Sequence, residues 1–444
     1  MSTERASHQG IENRPAELLQ RLLQFDTTNP PGNEAECVHF INDLLVEAGM
    51  QTTLLRPDPN RPNLITRLKG QARAPALLLY GHVDVVTTAG QEWTYPPFEG
   101  RIADGCVWGR GALDMKGGVA MMVSAILRAK ARGLVPAGDI VLAILSDEED
   151  GGDQGARFLV QDHAEQFAGI RYAIGEFGGF SWYAFDRKFY GIQIAEKQTC
   201  WMKATLRGEG GHGSQALRGG AMGKLGRMLD RLDRRRLPVH ITPVARMMIE
   251  RIAEALPFPR SFGVRQLLNP VLSDHLLRLL GERSRNIEPM LHNTVNVTIV
   301  RGGEKVNVIP SELVVELDGR LLPGFRPDDL ISEIREVVKE DVEIEVLRYD
   351  PAPGEPDMGL FGTLADVLRE ADPEGVPVPV LLPGATDARF FSRLGIQSYG
   401  FLPMNLPGGF DFTRLVHAAD ERIPIACLDF GTAALYRTLE RYGE

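Results

Sequence analysis

At the end of the apolar run Ala76–Tyr80, His82 and Asp84 interrupt "LLLYGHVDVV" with an imidazole and a carboxylate two residues apart. A buried strand has no packing use for either group. Five more polar residues stand in comparable places. Asp114 lies in "GRGALDMKGG" ahead of a helical segment, and Glu148 and Glu149 close the apolar run "IVLAILSDEED". Glu176 closes "YAIGEF", and His417 in "LVHAADERI" precedes the last helix. Histidines and carboxylates gathered on one rim are electrostatically costly unless a cation sits between them. Oxygen and nitrogen donors without a thiolate suit zinc, cobalt or manganese. Two histidines and three carboxylates, five side chains, are about right for two ions sharing one carboxylate bridge. His82 then reads as a ligand and Asp84 as its orienter, because a ligating imidazole commonly passes its second ring proton to a carboxylate. The glycine-rich "GRGALDMKGG" has neither the GxGxxG nor the GxxxxGK[ST] spacing of a phosphate cradle.

The elements that must position these groups alternate. "APALLLYGHVDVV", "GDIVLAILSDEED" and "YAIGEF" read as strands; "GVAMMVSAILRAKARG" and "GARFLVQDHAEQF" read as helices. That order predicts an α/β fold, a mostly parallel sheet sandwiched by helices, with ligands bound beyond the carboxyl ends of the strands. Near residue 190 the pattern changes. "GIQIAEKQTCWMKATLRGEG" reads as one long alternating strand, followed by helices and antiparallel-type strands; "PAPGEPD" marks a linker, and the α/β rhythm then returns. The expected organisation is a catalytic domain over 1–190 and 352–444 interrupted by an α+β insertion over 191–351.

The 444 residues exceed what one ordinary core organises. A net charge of −10 disfavours nucleic acid and anionic membrane surfaces as partners. No apolar run approaches the ~20 residues that span a bilayer. Four scattered cysteines and a polar N-terminus without a signal-peptide core point to a reducing compartment, the cytoplasm.

The chain resembles the zinc-dependent metallopeptidases that include aminoacylase, carboxypeptidase G, succinyl-diaminopimelate desuccinylase and acetylornithine deacetylase. The resemblance rests on "GHVDVV", "GRGALDMKGG", "SDEEDGGDQGA", "GEGGHGS", "NTVNVTIVRGGEKVNVIP", "GATDARFF" and "HAADE", in the family's order. It implies that Asp114 bridges two divalent ions, zinc first with cobalt or manganese as alternatives. One ion would also be held by His82 and Glu176, the other by Glu149 and His417. Glu148 would be the general base, Asp84 would support His82, and Glu421 would do the same for His417. A glutamate at the position of Glu176 goes with carboxypeptidase and deacylase members. His212, in the insertion, is the implied oxyanion donor, reaching the site by domain closure or from a partner subunit of a homodimer. Arg320, Asn307, Gly384 and Thr386 match substrate contacts, while Asp387 and Arg389 would hold their loop in shape. A stretch at about 234–290 resembles the carboxypeptidase S and N-acyl-amino-acid hydrolase branch. The implied activity is hydrolysis of N-acyl amino acids or C-terminal peptides, both small-molecule substrates. Two alternatives stand beside it: an amidase for bulky fatty or aromatic acyl amides that needs no carboxylate, and a metal-binding homologue without turnover.

Overall fold

The structure, a computed structural model, describes residues 10–444 except Asn286 and Gly354. The polar N-terminal stretch before residue 10 and Gly354 of the expected linker therefore lie outside the described residues. The chain divides into two compact units. The first comprises Met1–Ile194, Asp357–Pro379 and Thr386–Glu444; the second comprises Ala195–Pro356 and Val380–Ala385.

The sheet of the first unit orders its strands as Thr52–Leu55, Asn63–Leu68, Ile140–Leu145, Ala76–His82, Ile170–Gly175, Gln397–Gly400, Arg187–Glu196 and Val376–Leu382, with Ser181–Ala184 paired to Arg187–Glu196. The run from Ile140–Leu145 to Gln397–Gly400 is parallel, whereas Thr52–Leu55 and Asn63–Leu68 join antiparallel. Ala76–His82 and Ile140–Leu145 are buried along their whole length, which explains why they read as unbroken apolar runs. Leu78 and Tyr80 pack into a core with Leu159, Val160, Phe390 and Phe391. Helix Lys116–Ala131 lies against the same strand and packs on Pro15–Leu23 and Ile425–Arg441. The parallel core thus has the expected covered architecture, and its strand ends open onto one rim.

The segment read as a single strand is in fact two. Arg187–Glu196 belongs to the first sheet and Gln198–Arg207 to a four-stranded antiparallel sheet ordered Thr294–Arg301, Glu312–Leu321, Gln198–Arg207, Glu343–Asp350. The switch falls at Lys197. Its alternation of apolar and polar residues runs straight through the switch, so periodicity alone does not reveal it. Cys200, Met202, Ala204 and Leu206 on one face join Leu313, Val315 and Leu317 in the second unit's core. Helices Ala221–Arg234 and Pro327–Val338 complete that core.

Lys197 is itself unusual: its side chain is only 1% exposed, and Nζ donates to the His292 carbonyl and Thr294 Oγ1, both at 2.9 Å. Burial, assisted by the nearby Arg320 cation, pushes its amine down to about 7. Between that value and the ordinary lysine range the folded amine binds fewer protons than the unfolded one, so stability rises with pH across this window. Urea unfolding at pH 7 and pH 10 is expected to show this gain, on the order of 3–5 kcal/mol, in the wild type and not in Lys197→Met. An equal pH dependence in both proteins would refute it.

Candidate metal centre

The rim of the first unit is built from strand ends. His82 is the last residue of Ala76–His82, Glu148 and Glu149 follow Ile140–Leu145, and Glu176 follows Ile170–Gly175. Asp114 immediately precedes the residue that caps helix Lys116–Ala131. His417 enters from the loop before Arg422–Pro424, at a left-handed φ of 62°. Its carbonyl accepts from Gln91 Nε2 at 2.9 Å and Arg110 Nη2 at 3.2 Å, two bonds that hold this strained turn in place.

Two clusters share one carboxylate. His82, Asp114 and Glu176 form the first, all buried; Asp114, Glu149 and His417 form the second. His82 Nε2 lies 3.2 Å from Asp114 Oδ1 and 3.4 Å from Glu176 Oε2. His417 Nε2 lies 3.2 Å from Asp114 Oδ2 and 3.2 Å from Glu149. Each oxygen of Asp114 therefore addresses a different histidine. Among the described residues, buried Glu176 Oε2 has no hydrogen-bond partner.

The electrostatics describe a site short of positive charge. Burial, then the neighbouring Glu148 carboxylate, holds Glu176 well above the ordinary carboxylate range. Burial and Asp114 push Glu149 up to about 8. Hydrogen bonds to Asp114 and Glu149 raise His417 to about 10, and contacts with Glu176, Asp114 and Asp84 raise His82 despite its burial. Protons on these groups do the work a divalent cation would do in each cluster. The donor set, the straddling Asp114 and the orphaned Glu176 oxygen all fit two such cations.

Behind the ligands the supports differ in part from expectation. His82 Nδ1 lies 3.0 Å from the backbone carbonyl of Asp84 and 3.4 Å from its carboxylate Oδ1, so the carbonyl is the nearer orienter. The Asp84 carboxylate holds the turn instead: Oδ1 accepts from the Glu148 amide at 3.1 Å and Oδ2 from the Glu149 amide at 3.0 Å. Burial would raise its pKa, but bonds from His82, Asn29 and Glu149 outweigh that and keep it below the ordinary range. Glu421 meets the Asp114 loop rather than the His417 ring. It accepts from the amides of Gly111, Leu113 and Asp114 at 3.1, 2.7 and 3.1 Å and pairs with Arg110 at 2.6 Å. Glu421→Ala would strand the Arg110 charge and three amides in the interior. Chemical unfolding should show a loss of roughly 3–5 kcal/mol; a loss below about 1 kcal/mol would show the loop holds itself.

Glu148 is largely buried, with the guanidinium of Arg389 at 3.8 Å from Oε1. Burial lifts its carboxyl while His82 and Arg389 pull it back, and the net shift is upward. Arg389 also donates to the carbonyls of Thr386 and Gly151 at 3.1 and 3.2 Å. It therefore serves its loop, as expected, and additionally faces Glu148, which the sequence did not suggest. Asp387 is buried, and burial and the Glu148 charge hold it well above its usual range. Thr386 is buried in the same unit, and its Oγ1 accepts from the Ala388 amide at 3.1 Å.

The remaining expected residues lie in the second unit. Gly211–His212 pairs antiparallel with Val308–Ile309, and the Gly213 amide donates to the Asn307 carbonyl at 2.8 Å, which brings His212 beside Asn307. His212 is exposed; its Nδ1 accepts from the Ser214 amide at 3.2 Å, which leaves the neutral ring's proton on Nε2. Gly384 belongs to the short return segment Val380–Ala385. Arg320 is already engaged: Nε and Nη2 donate to Asp318 at 2.7 and 3.1 Å, and Nη1 to Thr199 Oγ1 at 3.0 Å.

Residues 78–441 match peptidase family M20/M25/M40. The chain belongs to this family. It is 29% identical to a probable carboxypeptidase S-like 2 of Dictyostelium discoideum over 367 residues, covering 79% of this chain and 68% of that protein. It is 28% identical to the human N-fatty-acyl-amino acid synthase/hydrolase PM20D1 over 376 residues, 82% of this chain and 73% of that one. The crystal structure of the M20 metallo-carboxypeptidase Sso-CP2 from Sulfolobus solfataricus shares the fold, with a TM-score of 0.69, 17% identity, and coverage of 97% of this chain and 99% of that one. This M20 chain is a metal-dependent amidohydrolase. Among its described residues no helix is long and apolar enough to cross a membrane.

Proposed function

We propose that this M20 protein is a two-metal hydrolase that cleaves the amide of N-acyl amino acids or C-terminal peptides and releases a free amino acid. The observation that carries this reading is Asp114, whose two oxygens face His82 and His417 separately. His82, Asp114 and Glu176 would hold one ion and Asp114, Glu149 and His417 the other, with zinc favoured and cobalt or manganese able to replace it. Bound divalent cations supply a polarised carbonyl and an attacking water of lowered pKa.

Glu148 takes the proton of that water and returns it to the leaving amine, cleaving the C–N bond with no change in redox state. A carboxylate held beside the reacting atoms suits both transfers. His212 donates from Nε2 to the developing oxyanion. Arg320, Asn307, Gly384 and Thr386 recognise the substrate carboxylate and backbone. Because Asp318 already occupies the Arg320 fork, a substrate carboxylate must compete for it. That same occupancy favours a second reading, in which bulky fatty or aromatic acyl amides are cleaved without a carboxylate. The name of the human relative, an N-fatty-acyl-amino acid hydrolase, supports a long acyl group in either case. The scattered cysteines support a cytoplasmic setting, and a homodimer through the inserted unit belongs to the same reading, testable by sedimentation.

Mass-spectrometric turnover by the zinc- or cobalt-loaded protein tests this. The panel pairs short-, fatty- and aromatic-acyl amino acids with C-terminal dipeptides and carboxylate-free amides. Cleavage confined to free-carboxylate substrates supports the first reading, cleavage of carboxylate-free amides the second. Chelator-insensitive turnover sinks both.

A further inference from the structure

The segment "DTTNPPG", residues 26–32, takes no part in the ligand set. In the structure it braces the end of the His82 strand. Thr27 Oγ1 donates to the Val83 carbonyl at 2.6 Å, the Val85 amide to the Thr27 carbonyl at 3.1 Å, and the Asn29 amide to the Val85 carbonyl at 2.9 Å. Lys116 Nζ fixes the start of the segment by donating to the Phe25 carbonyl at 2.8 Å. Asn29 is consequently held rigid, and its side chain is buried.

The Asn29 amide nitrogen then joins two carboxylates. Nδ2 donates to Asp84 Oδ2 at 2.8 Å and to Asp147 Oδ1 at 3.1 Å. The amide NH₂ has two N–H bonds, one for each acceptor, and adds no net charge to the pair. Asp147 directly precedes Glu148 and sits at a left-handed φ of 72°, a conformation that a non-glycine residue keeps only when its surroundings enforce it. Three partners enforce it: Asn29, Arg61 Nη2 at 2.9 Å from Oδ1, and the Gln154 amide at 2.8 Å from Oδ2. Arg61 is anchored in turn by Glu34 at 2.8 Å. Gly32, at φ +83°, leaves the space that the Arg61 guanidinium fills. Asp84, the other acceptor, holds the amides of Glu148 and Glu149.

We propose that Asn29 is a positioning residue: by tying Asp84 to Asp147 it fixes the turn that aims Glu148. The proposal rests on the reading of Glu148 as the general base. Without Nδ2 the Asp84 and Asp147 carboxylates would lose the side chain that joins them, and their like charges would push the two ends of the turn apart.

Asn29→Leu keeps the branched outline of the side chain and removes the amide. Expected is a kcat lower by roughly 10–100-fold with KM within about threefold, since a misaimed base affects the chemical step and not binding. Metal content, measured by mass spectrometry, should stay at the wild-type stoichiometry. In the metal-free protein, hydrogen exchange of amides 148–154 should be about tenfold faster or more, with strand Ala76–His82 unchanged. Asp147→Gly, which tolerates the positive φ, should reproduce both effects and substitutes for Asn29→Leu if that variant does not fold. Unchanged exchange in a folded variant overturns the proposal, as does a kcat loss wholly explained by lost metal. If the wild type cleaves nothing, the proposed activity fails while the exchange result still decides the role of Asn29.

Discussion

Glu148→Gln is expected to lower kcat by roughly 10²–10⁴-fold, the usual contribution of a positioned acid–base group, while leaving bound metal and KM nearly unchanged. The expectation follows from how little else depends on the Glu148 carboxylate. The turn is held through its backbone amide, which donates to Asp84, and not through the side chain. The two metal-type clusters do not include it. The guanidinium of Arg389 is 3.8 Å away and has two backbone carbonyls of its own. Glutamine fills the same space, so loss of fold is not the expected route to inactivity. Removing a buried carboxyl whose pKa is already raised by burial should if anything relieve charge crowding beside Glu176, so unfolding temperature should not fall. Steady-state kinetics with metal analysis on the same preparation decides the matter. A variant that keeps more than about a tenth of wild-type kcat would remove Glu148 from the proton transfers.

The rim was legible because each of its groups ends an apolar run. Nothing about burial or packing recommends a histidine after "LLLYG" or two glutamates after "IVLAIL", and the covered parallel sheet explains why such residues gather. The supports behind them were not legible in the same way. Glu421 lies four residues from His417 and is its partner in what the family resemblance implies, yet the fold carries it to the Asp114 loop to satisfy three amides. Asn29 lies 55 residues from Asp84 and 118 from Asp147, and no local pattern announces contacts of that range. The sheet switch at Lys197 was hidden for a different reason: strands in two sheets can share one uninterrupted alternation. Arg320 shows the limit for polar residues on an open sheet face. Its type and place suited a carboxylate, but its neighbour two positions back, Asp318, already supplies one.

The second large effect belongs to Asp114. Asn at this position has nearly the same shape but offers one oxygen where the carboxylate offers two. In the structure Oδ1 faces His82 and Oδ2 faces His417, so the amide NH₂ must point at one histidine cluster or the other. Whichever cluster receives it loses an anionic donor and gains a group that cannot ligate. Calorimetric titration of metal-free protein with zinc should therefore fall from two equivalents to at most one. Losing a ligand should weaken the affected site by at least the 10–100-fold seen when only a supporting group is removed. Thermal unfolding gives an independent readout. Metal that binds only the folded chain stabilises it by RT ln(1 + [L]/Kd), about 4 kcal/mol at a thousandfold excess over Kd for each site. The wild type should show the increment of two sites and Asp114→Asn that of one or none. The metal-free variant should also be less stable than the metal-free wild type above about pH 5. The Asp114 carboxyl is held below its usual range in the fold by His417 and His82, which overcome its burial. Its contribution is therefore present above the ordinary aspartate pKa and is lost on acidification. Two full equivalents bound by Asp114→Asn, at affinities within about threefold of wild type, would mean that the carboxylate does not bridge the clusters.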